Sequence, residues 1–204
     1  MKQNSLSHDP GATRLFSEPL RSQRKFGTLV LENSMSEQQI AHQEGERPMT
    51  IYFYSAHEEP YGRFSNFSRH GIEIDGVWWP TVEHYFQAQK FAGTPYASQI
   101  QRALTPKQAA GMGRDRAWPL RPDWEQVKDE VMYNAVLRKF ETHHGLQALL
   151  LSTGEEEIVE SAPGDYYWGC GADGSGQNKL GKILMQVRSA LSQRTDILAP
   201  SPSV

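Results

Sequence analysis

Aromatic residues divide this chain in two. All five tryptophans and all eight tyrosines fall between Tyr52 and Trp168, and only Phe16 and Phe26 precede Tyr52. Aromatic side chains supply the largest burial per residue to a core, so the folded part is expected to begin near residue 50. Residues 1–49 hold 14 apolar residues, six basic and six acidic ones, and sustain no helical or strand period. Such a segment buries too little surface to offset its ordering entropy, and it reads as a disordered N-terminal tail. Its run Leu29-Val30-Leu31 is the one stretch able to dock on a domain, and Met35 and Met49 are alternative starts. No apolar core of a secretory signal is present. Residues 194–204 read as a flexible C-terminal end. A single domain over residues 50–193 is expected.

Composition narrows the function classes. Of 204 residues, 21 are basic and 24 acidic, a formal charge of -3, so there is no general basic field for nucleic acid. A few local arginines still suffice for a small anion. The single cysteine, Cys170, excludes an internal disulfide framework and a cysteine-built zinc site. No apolar run approaches the roughly 18 residues that cross a bilayer. A cytoplasmic protein without a membrane contact is the expectation.

Local signals order the domain. Ile51–Ser55 is a short β-type run. Ile72–Ile74 and Val77–Trp79 flank Asp75-Gly76, the pattern of a tight hairpin. Pro80 suits the first turn of a helix running to about Phe91. Thr105-Pro106 opens a second helix that the glycines at 111 and 113 end. From Asp123 a long helix places Trp124, Val127, Val131, Ala135 and Phe140 on one face, and Leu146–Leu151 continues as a shorter one before Gly154. A strand over Glu157–Val159 precedes a loop, Gly164 to Gly181, with six glycines in 18 residues. The last helix lines up Leu180, Ile183, Leu184, Val187 and Leu191. The pattern is α+β and predominantly helical, with one small antiparallel hairpin.

Several chemistries are set aside. Gly169-Cys170-Gly171-Ala172-Asp173-Gly174 matches the dinucleotide fingerprint, but only 30 residues follow it and they cannot complete a βαβ unit. The glycines instead imply a backbone that comes close to a ligand or to another segment. The seven histidines are scattered, so no metal site is expected, and neither is a cofactor.

What needs explaining is a polar stripe. Glu83, Gln87 and Lys90 fall within about 60° of arc on one helix. Glu83 and Lys90 lie roughly 10 Å apart along the axis, too far for a simple ion pair. Two readings are open: a solvated face whose charges complement the helix dipole, or groups that reach one ligand. Aromatics flank the stripe in Tyr61-Gly62-Arg63-Phe64-Ser65-Asn66-Phe67, Trp78-Trp79 and Tyr166-Tyr167-Trp168-Gly169. They either fill the core or stack a flat heterocycle. Arg114 and Arg116 either present two guanidinium groups to a phosphate or pair internally on a surface turn.

These residues resemble the NADAR domain family, the YbiA-like N-glycosidases. The resemblance rests on Tyr61–Phe67, Trp79–Phe91, Gly111–Arg116, Arg121–Glu125, and Tyr167-Trp168-Gly169 with Asn178-Lys179-Leu180-Gly181. Five ordered motifs cover about residues 50–192. The resemblance implies a compact, mainly helical domain that hydrolyses a bond between ribose and a base nitrogen. Two substrate classes come with it: phosphoribosylamino-pyrimidine intermediates of riboflavin synthesis, and guanine carrying ADP-ribose in DNA or RNA. It makes Glu83 the prime catalytic candidate and Trp124 the site aromatic, with Lys90 and Asn66 as further members. Gly62, Phe64, Arg114, Arg116, Trp168, Gly169, Asp173 and Asn178 complete the expected substrate-binding set. Relatives often carry an acid after the Trp-Gly pair; this chain has Cys170, and Asp173 is the candidate to replace it.

The chemistry suits the residues. Cleaving an N-glycosidic bond develops positive charge at C1′, which a carboxylate stabilises while activating water. Lys90 offers a second route, capture of the opened ribose as an imine. A non-catalytic module that binds ADP-ribose or a nucleotide is the rival reading, and no obligate protein partner is legible. Deleting residues 1–48 is expected to leave both the thermal transition and base release unchanged; loss of either makes the tail part of the domain.

Overall fold

The structure, a computed structural model, describes residues 49–198. All of the expected tail but Met49, including Leu29-Val30-Leu31 and Met35, and residues 199–204 lie outside the described residues. Four short strands and six helices follow in order: β1 (Ile51–Phe53), β2 (Ile72–Ile74), β3 (Val77–Trp79), α1 (Val82–Gln89), α2 (Pro95–Gln101), α3 (Pro106–Met112), α4 (Trp124–Thr142), α5 (His144–Leu151), β4 (Ile158–Glu160) and α6 (Lys179–Leu198). A 3₁₀ turn, Tyr61–Phe64, lies between β1 and β2. The mainly helical α+β class with a small antiparallel hairpin is as the sequence implies.

Where signals are local, residues and elements agree. Asp75 and Gly76 both take positive φ, 53° and 74°, as the two-residue hairpin turn requires. That turn pairs Ile72 with Trp79 and Ile74 with Val77. Thr81, rather than Pro80, starts α1: its hydroxyl accepts the His84 N–H, and the helix proper begins at Val82. Thr105 caps α3 in the same way, accepting from Gln108 N at 3.1 Å. α2 also follows a threonine-proline pair, Thr94-Pro95, but the Thr94 hydroxyl donates to Phe91 O at 2.7 Å rather than capping the helix, and only Tyr96 and Ile100 of its seven residues are buried.

Long-range features differ from expectation. β1 and β4 form a separate parallel pair, Ile51 opposite Ile158 and Phe53 opposite Glu160. The buried face of α4 is Trp124, Met132, Ala135, Val136, Lys139 and Phe140, while Val127 and Val131 are half-buried. α6 buries its five expected residues but continues to Leu198, beyond the expected end at residue 193.

α1 is the centre of the arrangement. Every residue from Val82 to Ala88 is buried, because α2, α3 and α4 pack around it. His84 pins one side: its Nε2–H donates to the Ala103 carbonyl at 3.0 Å, and its Nδ1 accepts from the Thr81 hydroxyl at 2.8 Å. α6 closes the far side of the domain against α4, α5 and β4. Asn178, with φ of 50°, joins α6 to the sheet: its Nδ2 donates to Ile158 O at 2.9 Å and its Oδ1 accepts from Glu160 N at 3.0 Å.

Candidate active site

A helix with no solvent face forces its polar residues inward. Glu83 is 6% exposed and Gln87 is 7%. Gln87 Nε2 donates to Glu83 Oε1 at 2.8 Å, so the i,i+4 partner of the carboxylate is an amide, and the solvated-face reading fails. Gln87 Oε1 is buried with no partner. Gly113 presses on this amide so closely that a Cβ there would lie 1.8 Å from Gln87 Oε1. Any larger residue at 113 therefore displaces Gln87 from Glu83.

Burial raises the Glu83 pKa to about 7. The Gln87 hydrogen bond and the charges of Lys90 and Arg114 oppose that rise, and Asp165 reinforces it. Lys90 caps the end of α1, its Nζ donating to Gly113 O at 3.4 Å. The same Nζ lies 5.6 Å from the Phe86 ring centre and 5.8 Å from that of Trp124. Burial lowers its pKa, with Glu83 pulling the other way. Trp124 is buried and tilts against Phe86 at 5.0 Å, and half-buried Trp168 meets Phe86 edge-on at 5.2 Å. Arg114 and Arg116 are exposed, and both charges act on Lys90. Asp115 between them accepts from Ala117 N and the Tyr96 hydroxyl.

The loop after the 3₁₀ turn reaches the same helix. Asn66 O accepts the Glu83 N–H at 3.2 Å. Asn66 Nδ2 contacts Met132 Sδ at 3.3 Å, leaving Oδ1 buried and unpartnered. A residue the sequence reading misses sets this loop. Lys139 of α4 is 1% exposed, and its Nζ donates to Arg63 O (2.6 Å), Ser68 Oγ (2.7 Å), Ser65 O (3.0 Å) and Phe64 O (3.5 Å). Burial pulls its pKa down to about 7, while these neutral oxygens favour the charged form.

Five of the residues expected to bind substrate are engaged in packing or local turns. Phe64 is 1% exposed, edge-on to Phe53 and Phe140 in the core. A Cβ on Gly62 would meet Ser55 O at 2.3 Å, and one on Gly169 would meet the Ala162 side chain at 2.8 Å. These glycines, like Gly176 against Gly169 O, allow chain to approach chain, which answers the question the glycine-rich loop posed. Asn178 is the tie described above. Asp173 is exposed, accepting from Ser175 N and Oγ within its own turn. Asp165 is an acid whose charge reaches Glu83, and its Oδ1 also accepts the N–H groups of Tyr167 and Trp168.

A second missed carboxylate is Glu160, the last residue of β4. It is half-buried, its Oε2 is buried without a partner, and its backbone O accepts from Cys170 N at 2.9 Å. Glu160 also lines a cavity of about 730 Å³. Tyr54, Ser65 and Phe67 contribute further walls, and Arg63, Arg69 and Lys107 bring cations.

A buried carboxyl that changes charge near neutral pH, set among an amide, a lysine and indole rings, is equipment for acid–base chemistry on a ring-bearing substrate. The NADAR domain family model matches residues 52–192, and the chain belongs to that family. It is 52% identical over 146 residues to an N-glycosidase of Nostoc punctiforme, covering 70% of this chain and 93% of that protein. The NMR structure of the Escherichia coli protein YbiA superposes with a TM-score of 0.70 at 45% identity, covering 79% of this chain and 95% of that one. The chloroplastic riboflavin biosynthesis protein PYRR of Zea mays is 45% identical over 146 residues, 64% of this chain but 23% of that protein.

The raised pKa of Glu83 carries a stability signature. Unfolded, the group titrates near its model value of 4.5; folded, near 7. The unfolded state loses the proton first, so Glu83 stabilises the fold below about pH 4.5 and that contribution disappears as pH rises through 7. Glu83→Gln keeps an acceptor for Gln87 without a titrating charge. Its melting temperature relative to wild type is expected to rise by a few degrees between pH 5 and pH 8. A constant difference across that range contradicts the assigned environment.

Proposed function

We propose that this chain is an N-glycosidase that hydrolyses the bond between ribose and a base nitrogen. Its substrate in this reading is a phosphoribosylamino-pyrimidine of riboflavin synthesis. The observation that carries the reading is the buried, near-neutral carboxyl of Glu83 within the family-matched segment. The N-glycosidase and riboflavin names of its relatives support the reaction and the small substrate over ADP-ribosylated nucleic acid.

In the reaction Glu83 acts as an ionised base. It takes a proton from water as oxygen bonds to C1′, and its negative charge stabilises the cation developing there. Desolvation strengthens that attraction, because little water remains to screen it. Asn66 and Lys90 orient ribose or base, and Lys90 also balances the Glu83 charge. Trp124 and Trp168 form the aromatic side, while exposed Arg114 and Arg116 draw in the phosphate. The imine route places Lys90 as nucleophile instead, helped by its lowered pKa.

The test is release of ribose phosphate from a phosphoribosylamino-pyrimidine, with an ADP-ribosylated guanine oligonucleotide assayed in parallel. Glu83→Gln is expected to lower kcat about 10²–10⁴-fold, the usual worth of a positioned acid–base group. A folded Glu83→Gln at wild-type rate overturns the assignment. Borohydride added during turnover is expected to leave Lys90 unmodified; a trapped adduct there transfers the chemistry to the imine route. Binding of either compound without release makes the protein a binding module.

A further inference from the structure

The proposed substrate poses a problem that Glu83 does not solve. Its leaving atom is an amino nitrogen on a heterocycle, which departs far more readily as a neutral amine than as an anion. Bond scission therefore needs a proton delivered to nitrogen as the bonding pair moves onto it. Glu83, taking a proton from water, is not also the donor in that step. A second acid is required on the substrate side.

Glu160 is a carboxyl on a cavity wall that the reaction described so far does not use. Its backbone is fixed from both sides, by Asn178 Oδ1 on its N–H and by Cys170 N on its carbonyl. Its carboxyl, by contrast, has a buried oxygen with no partner. The residue forms part of the wall of the 730 Å³ cavity, a volume within the range of small-ligand sites. Tyr54 and Phe67, 51% and 37% exposed, give that cavity two aromatic walls suited to a flat heterocycle. Arg63, Arg69 and Lys107 add positive charge to its walls, Arg63 being paired with Glu59 at 3.0 Å.

We propose that Glu160 is a second catalytic residue, the acid that protonates the departing amino nitrogen, and that this cavity receives the heterocycle. The proposal rests on the N-glycosidase reading. The C1′–N bond breaks with its electron pair going to nitrogen, and the Glu160 proton joins that nitrogen to give the free amine. Water oxygen bonds to C1′, and the proton it loses goes to Glu83. Exchange with solvent then returns a proton to Glu160 and removes one from Glu83. No oxidant or cofactor enters.

Charge distribution supports the division of labour. Burial first, then the negative charges of Asp165 and Glu83, raise the Glu160 pKa to about 8. At pH 7 it holds a proton while Glu83, near 7, is substantially ionised. His70, on the same cavity wall, is held neutral with a pKa of about 4 by burial and by Lys139, His143 and Arg63, so it has no proton to give. His57 and Glu59 are the remaining titratable groups on these walls.

The test is kcat/KM for base release from a phosphoribosylamino-pyrimidine between pH 5 and 9.5, in wild type, Glu83→Gln, Glu160→Gln and Glu160→Asp. Wild type is expected to give a bell, rising near 7 and falling near 8. Glu160→Gln is expected to lose at least 100-fold and to lose the falling limb; Glu160→Asp is expected to restore part of both. A melting scan at pH 8 checks folding, and Glu160→Gln should melt no lower than wild type because a buried charge is gone. Wild-type turnover in folded Glu160→Gln, or a falling limb that survives it, overturns the role of Glu160 while leaving the N-glycosidase reading intact. Absence of release by wild type itself overturns that reading instead.

Discussion

The site depends on one electrostatic fact: Glu83 is carried on a helix that has no solvent face. A carboxylate in that setting loses hydration worth far more than one amide hydrogen bond returns. The protein tolerates it because the group keeps its proton up to about pH 7 and because Lys90 and Arg114 stand close enough to moderate the ionised form. The same desolvation that costs stability makes the ionised carboxylate effective against positive charge in a reacting sugar. Stability and chemistry thus pull in opposite directions at one residue, and the packing of α2, α3 and α4 around α1 sets the compromise.

Much of the remaining structure holds that arrangement in place. Lys139 gathers the carbonyls of Arg63, Phe64 and Ser65 and the Ser68 hydroxyl onto one ammonium group, and this fixes the loop whose Asn66 carbonyl accepts the Glu83 N–H. Asn178 does the corresponding work on the other side, tying α6 to β4 at the residue where Glu160 leaves the strand. Gly113, having no side chain, leaves the room in which the Gln87 amide lies against Glu83. None of these three has to contact substrate to matter for turnover, since a displacement near 1 Å at reacting groups is costly.

The sequence made the local features legible. Asp75-Gly76 dictates its own hairpin, the threonine cap at 105 starts α3, and apolar periodicity gives α4 and α6. Glu83 was recognisable as the prime candidate through the family motif, but its burial was not. A polar stripe with acid first and lysine last has the same sequence whether it faces water or three neighbouring helices. Lys139 sits on the apolar face of α4, where a lysine usually extends to solvent; the carbonyls that capture it come from residues some 70 positions away. Glu160 falls one residue past the strand that the sequence implies over Glu157–Val159, and that strand pairs with β1 across more than 100 residues. Phe64 and Phe67 differ by three positions in one aromatic motif, yet the first fills the core and the second lines the cavity. Only tertiary packing separates them.

The central claim, that burial makes Glu83 a near-neutral carboxyl, is open to direct spectroscopy. Infrared difference spectra of wild type minus Glu83→Gln isolate the carboxylic C=O stretch of this residue, and its amplitude can be followed from pH 4 to pH 9. The account predicts a protonated carboxyl at pH 5 that titrates with a midpoint near 7. A midpoint near 4.5, the value of a solvated glutamate, contradicts it.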